Sequence, residues 1–250
     1  MPLYLIATPI GNLADISSRA RDTLAAAHVL AAEDTRSARR LLAALNLPLN
    51  GRTLVSYGEH NEKTMAPHLA EFLTQGRDVA LLSEGGTPLI SDPGYRLVRA
   101  AIEAKIPVVP LPGACAAVAA LSASGLPVHG FIFRGFLPKK PGARRRILER
   151  LRDREETLIF YESPQRLGRL LLELVEILGA DRHACIAREL TKVHETFERE
   201  RLGILAARFS AAAPPKGECT ILISGTELQD PPEENSQQRD QDLDEIERKY

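Results

Sequence analysis

The chain has 250 residues, 44% apolar but only 5% aromatic and without Trp, so it can bury a sizeable, mostly aliphatic core in one large or two small domains. The net charge of −1 taken alone argues against a nucleic-acid binder, yet it hides a split: residues 225–250 carry nine acids against three bases, −6, and the other 224 residues carry +5. The three cysteines, Cys115, Cys185 and Cys219, are odd in number and form no C-x-x-C pair, which argues against a disulfide framework or a zinc site, leaves no metal site expected, and fits a reducing cytoplasm.

The opening "MPLYLIATPIG" lacks the basic region and long apolar run of a signal peptide, and no window approaches a membrane span. "LYLIAT" (3–8) reads as a buried parallel strand stopped by Pro9 and Gly11. Asp15 is placed to cap a helix over 16–27, and "VLAAE" (29–33) is a second strand. A helix over 34–45, a strand at 53–56, a helix over 61–74 capped by Asn61 and a strand at 78–83 follow. Asp92 and Pro93 open a helix over 93–104, "PVVPL" (107–111) is a strand, and the small-residue run 114–125 is a helix ended by Gly125. This alternation predicts an α/β domain with a parallel sheet, whose ligands bind at the carboxyl ends of the strands, in the loops 9–15, 84–92 and 112–116.

The second half reads differently. Strand candidates at 131–137, 157–163, 183–190, 194–201 and 217–224, with a helix from Pro164 to Leu178, suggest a mixed sheet. Two α/β domains are expected, over residues 1–118 and 119–225, followed by a disordered acidic tail over 226–250.

"SEGGTPLISDPG" (83–94) is the most controlled loop in the chain. Gly85 and Gly86 permit positive φ and close approach of main chain to a ligand, while Pro88 and Pro93 stiffen the segment. A plain turn followed by a helix cap is the competing reading. Neither G-x-G-x-x-G nor the phosphate-cradling G-x-x-x-x-G-K-[ST] occurs, so the ligand is expected to be neutral or zwitterionic and held by main chain.

Eight blocks occur in order: "LYLIATPIGNLADIS", "AAEDTR", "VSYGEHNE", "SEGGTPLISDPGYRLV", "PLPGACAAVAALSASGLP", "GFLPKK", "FYESPQRL" and "RELTKVHE". Together, over residues 3 to about 224, they resemble the tetrapyrrole methylase superfamily, and within it the bacterial enzymes that methylate a cytidine ribose 2′-OH of 16S ribosomal RNA. The resemblance implies two α/β domains with S-adenosyl-L-methionine in the cleft between them, a homodimer, and 16S rRNA of the small ribosomal subunit as partner. It matches Pro9, Gly85, Gly86, Thr87, Ile90, Cys115, Ala116, Glu162 and Leu190 to the donor site. Two elements depart from the family pattern: Glu84-Gly85 stands where Asp-Ala is usual, and Cys115 where Ser is usual.

Methyl transfer to a 2′-OH needs a positioned hydroxyl and a destination for its proton. Glu33, Asp34 and Arg36 place acid and cation together after a strand and are the catalytic candidates, with a helix N-cap as the bland alternative for Asp34. Residues 134–154 hold nine bases against Glu149 and Asp153; Lys139, Lys140, Arg144, Arg145 and Arg146 are the candidate RNA contacts, a solvated helix face being the alternative. Two other functions remain open at this point: a methyltransferase acting on an anionic tetrapyrrole, and a non-catalytic RNA-binding relative.

Overall fold

The computed structural model describes residues 1–226; the acidic tail, but for its first residue, lies outside the described residues. The first half is a five-stranded parallel sheet in the order β3-β2-β4-β1-β5, built from β1 (Leu3–Ile6), β2 (Val29–Ala32), β3 (Thr53–Ser56), β4 (Val79–Leu82) and β5 (Val108–Leu111). Its central strands are apolar at every position because the sheet is covered on both faces. Val29, Ala31, Val79 and Leu81 face one core, and Leu30, Ala32, Ala80 and Leu82 face the other. Helices α1 (Ser18–Ala26) and α2 (Thr35–Ala44) cover the second face through Ala20, Leu24, Ala38 and Leu42. Helices α3 (Glu62–Thr74) and α4 (Tyr95–Glu103) cover the first through Leu69, Leu73, Leu97 and Ala101.

Two helix starts differ from the sequence expectation. Asn12 caps a 3-10 turn over Leu13–Asp15, so Asp15 lies inside that turn and Ser17 caps α1 by accepting from Ala20 N. At α4, Pro93 stays in the loop and Gly94, at φ 145°, occupies the cap. The α4 amino end is served across space instead: Glu62 Oε1 accepts from Gly94 N at 3.1 Å and Arg96 N at 3.0 Å, as well as from the buried Tyr57 hydroxyl. A carboxylate from α3 thus satisfies orphan amides that no side chain of the loop reaches.

The second sheet is mixed, in the order β6-β7-β10-β8-β9, from β6 (Phe131–Phe136), β7 (Thr157–Glu162), β8 (His183–Arg188), β9 (Thr196–Arg201) and β10 (Cys219–Ile223). Only β6 and β7 run parallel; β10 is antiparallel to both neighbours. One face, with Leu158, Phe160, Ile186 and Ile221, packs on α6 (Pro141–Leu151), α7 (Pro164–Leu178) and α8 (Leu202–Ala211). Helix α8 has no counterpart in the sequence reading. It lies so close to α7 that a Cβ on Gly168 would come 2.5 Å from the Phe209 carbonyl oxygen. The opposite face, with Ile159, Cys185, Ala187 and Leu222, packs on α5 (Ala116–Ser122). The helix that leaves the first sheet is therefore part of the second core.

Candidate functional site: a cleft between the two sheets

Three loops leave the carboxyl ends of the neighbouring strands β4, β1 and β5 and are stitched to one another by main chain. Thr8 N donates to Gly86 O and Gly86 N to Thr8 O, both at 2.9 Å, an isolated antiparallel bridge between the first two loops. Ser83 Oγ donates to Gly86 O at 2.7 Å, and Thr87 Oγ1 donates to Ala114 O at 2.9 Å, which ties in the third. The loop after β4 holds a run of unusual backbone: Gly86 has φ 93°, and the non-glycine residues Leu89 and Ser91 have φ 72° and 69°. Such strain persists where the surroundings over-determine it, commonly at ligand sites.

Above these loops lies a cavity of about 840 Å³, within the range of small-molecule sites. Its far wall comes from the second sheet: Tyr161 and Glu162 at the end of β7, Leu190 and Lys192 after β8, and Gly217 to Thr220 at the start of β10. The halves also meet directly. Ala117 N donates to the Tyr161 hydroxyl at 2.9 Å, Asn12 N donates to Thr191 Oγ1 at 3.1 Å, and the Gly135 bulge lies against Ser91.

The nine residues matched to a donor site all line this cavity. Cys115 occupies the cap of α5 without a side-chain cap bond, so a hydroxyl is not needed there to start the helix. Of the three catalytic candidates only Glu33 lines the cavity. Asp34 caps α2 through Arg36 N at 2.7 Å and chelates the Arg36 guanidinium at 2.8–3.2 Å, and these bonds hold its carboxyl down at about 2. Asp34 and Arg36 are thus occupied with each other, as the helix-cap alternative has it.

Asp92, which the sequence reading left outside the catalytic set, lines the cavity beside Glu33 and Glu84. Burial first, then the charges of Glu33 and Glu84, push its carboxyl up to about 7. Burial, Glu84 and Glu59 likewise raise Glu33. Lys192 is the cation of this cleft; it pairs with Glu189 at 2.8 Å and Glu218 at 3.5 Å. The remaining lining, Gly217 to Thr220, comes from the amino end of an antiparallel strand, and no sequence signal marks it.

On the basic segment the five candidate RNA contacts divide. Lys139, Lys140 and Arg146 are exposed. Arg144 is 7% exposed: it donates to Glu173 at 2.7 and 2.5 Å and to the carbonyls of Pro138 and Lys139, so it serves the α6–α7 packing and offers nothing to solvent. Arg145 is exposed but held by Glu149 and Glu176. The acids of α7 that neutralise these two are distant in sequence.

Two α/β layers closing on one cavity, with a main-chain cradle below and a β-strand wall above, define a methylase fold. The family model of tetrapyrrole (corrin/porphyrin) methylases matches residues 2–206, and the chain belongs to that family. A relative named ribosomal RNA small subunit methyltransferase I, from Mesorhizobium japonicum, is 51% identical over 90% of this chain and 76% of its own length. One of the same name from Escherichia coli O157:H7 is 46% identical over 91% of this chain and 79% of its own. Among solved structures, the methyltransferase CobJ aligns with a TM-score of 0.67 at 22% identity, over 90% of this chain and 94% of its own. Uroporphyrin-III C-methyl transferase from Thermus thermophilus complexed with S-adenyl homocysteine aligns with a TM-score of 0.59 at 22% identity, over 90% of this chain and 98% of its own.

Proposed function

We propose that this chain transfers the methyl group of S-adenosyl-L-methionine to the ribose 2′-OH of a cytidine in 16S rRNA of the small ribosomal subunit. The observation that carries this is the conjunction of a near-full-length match to ribosomal RNA small subunit methyltransferase I with a cleft whose floor is a main-chain cradle. The donor, when bound, supplies an electrophilic methyl on a sulfonium cation. The residues present suit it: Gly85 and Gly86 bring main chain to the cavity floor, and the carboxyl groups of Glu33, Glu84 and Asp92 line the space.

Pro9, Ile90, Cys115, Ala116 and Leu190 supply apolar contact, and Thr87 fixes the cradle through Ala114. Asp92, which stands beside Glu33 and whose burial strengthens its hold on a proton, takes the 2′-OH proton as the O–CH₃ bond forms and the S–CH₃ bond breaks. The RNA approaches over Lys139, Lys140 and Arg146. A homodimer working in the cytoplasm completes the reading; among the described residues no helix is long and apolar enough to cross a membrane.

The test is transfer of labelled methyl from S-adenosyl-L-methionine to purified small ribosomal subunits, with nuclease mapping of the product. A uroporphyrinogen-type macrocycle is the parallel substrate. Label on the macrocycle and none on the particle would replace this reading with the tetrapyrrole one.

A further inference from the structure

Behind the Glu162 wall of the cleft lies a second cavity of about 200 Å³, whose charged lining is Lys139, Arg144, Arg166, Arg169 and Glu162. Glu162 borders both cavities, and its carboxylate is spoken for: Oε1 accepts from Ser163 N at 2.7 Å and Oε2 from Arg166 at 2.6 Å. Arg144 is likewise consumed by Glu173. What remains is cationic. Among the described residues neither Lys139 nor Arg169 has an acidic partner, and both are exposed at the rim, while Arg166 is anchored with part of its guanidinium unspent. An anchored arginine with donors to spare, an unpaired arginine and an unpaired lysine around a space of this size form an oxyanion receptor: a pre-organised guanidinium plane for geometry, an ammonium for charge.

We propose that this cavity binds a backbone phosphate of the RNA strand, adjacent to the nucleotide whose ribose enters the cleft. The common wall is the argument for adjacency. A strand that places one ribose on the donor side of Glu162 must carry its neighbouring phosphates across that wall, and the nearest unneutralised positive charge there is Arg169 with Lys139. The RNA footprint therefore centres on the rim between β6, α6 and α7, with the outer face of α6 at its margin. This rests on the RNA reading of the site.

The experiment uses the full chain and a single-stranded RNA oligonucleotide, with binding followed by fluorescence anisotropy across a potassium chloride series. Arg169→Gln and Lys139→Gln each lower affinity and make the log–log salt slope shallower by about 0.7, and the double variant by about twice that, as loss of one phosphate contact per residue requires. Arg99→Gln, on an exposed pair with Glu103, leaves both unchanged. Calorimetric titration with S-adenosylhomocysteine reports cleft integrity and is the same for all variants. A double variant with the parental slope and affinity overturns the proposal. Inorganic phosphate at fixed ionic strength is the second arm: variants that weaken phosphate but leave RNA binding intact assign the cavity to a free anion and equally overturn it. Failure of the functional reading shows separately, as absent methyl transfer to small subunits with RNA binding still measurable.

Discussion

Arg166 donates to Glu162 at 2.6 Å across one turn at the start of α7, and the carboxylate it holds is only 1% exposed while Arg166 itself remains 30% exposed. The pair is unequal: the acid depends on the base far more than the base on the acid. Arg166→Met strands a buried carboxylate and is expected to cost about 3 kcal/mol in urea unfolding. Adding Glu162→Gln recovers most of that loss while still weakening S-adenosylhomocysteine binding. Equal destabilisation by the single and double variants would show that the loss comes from packing.

The donor loop predicts a contrast between adjacent glycines. Gly86 sits at φ 93°, and a Cβ there would meet Ile10 at 3.4 Å and Ala114 O at 3.5 Å. Gly85 has no such φ, and its Cβ would make ordinary contact with Pro9 O at 3.5 Å. Gly86→Ala should cost about 1–3 kcal/mol of stability and lower donor affinity at least tenfold, whereas Gly85→Ala should be near neutral in both. Calorimetry and thermal unfolding of the two variants decide this.

Asp92 predicts a pH dependence with a definite sign. Its carboxyl is raised to about 7, so between the ordinary carboxylate range near 4 and pH 7 the native state holds a proton that the unfolded chain has lost. That contribution is fully present below about pH 4 and disappears as pH rises through 7. Asp92→Asn should flatten the stability profile over this window and gain relative to the parent at pH 8. As the proton acceptor, the same residue makes the transfer rate climb through pH 7, and the Asn variant should lose about 10²–10⁴-fold in turnover at pH 8. An unchanged rate profile leaves Glu33 as the acceptor.

Neighbouring arginines of α6 should separate stability from binding. Arg144→Gln removes the cation beside Glu173 and should cost about 3 kcal/mol without altering the RNA salt slope. Arg146→Gln should change stability by less than about 0.5 kcal/mol while making the slope shallower. Denaturation and salt-dependent RNA binding, run on both variants, test the division.

The contrast between those arginines shows where the sequence could be read and where it could not. Local patterns carried the strands and most helices: β3 and α7 fall on their expected bounds because Pro164 and the apolar runs are signals in themselves. Helix α8 has no signal of its own because Ile204 and Ala207 stand on its exposed side beside Arg208, which blurs the polar face, and it follows a strand without a turn residue between them. The α4 start differs from expectation because the carboxylate that serves its amides is Glu62, some thirty residues upstream. In the site, the glycine-rich loop announced itself through composition. The capping role of Asp34 is local as well, since its partner Arg36 stands two residues on. The neutralisation of Arg144 and the entry of Gly217 to Thr220 into the cleft depend on which elements become neighbours, and spacing along the chain does not encode that.

The link from β5 to α5 fixes where the molecule can bend. Ala114 is fastened to Thr87 on one side, and Ala117 to Tyr161 on the other. Only Cys115 and Ala116 lie between those two fastenings. Any swing that widens the mouth for nucleoside entry must be absorbed in the torsions of this dipeptide or break one of the two bonds, and it must also part Asn12 from Thr191. A hinge so short favours rotation about one axis over sliding, and it places the pivot in the floor of the chamber that it opens.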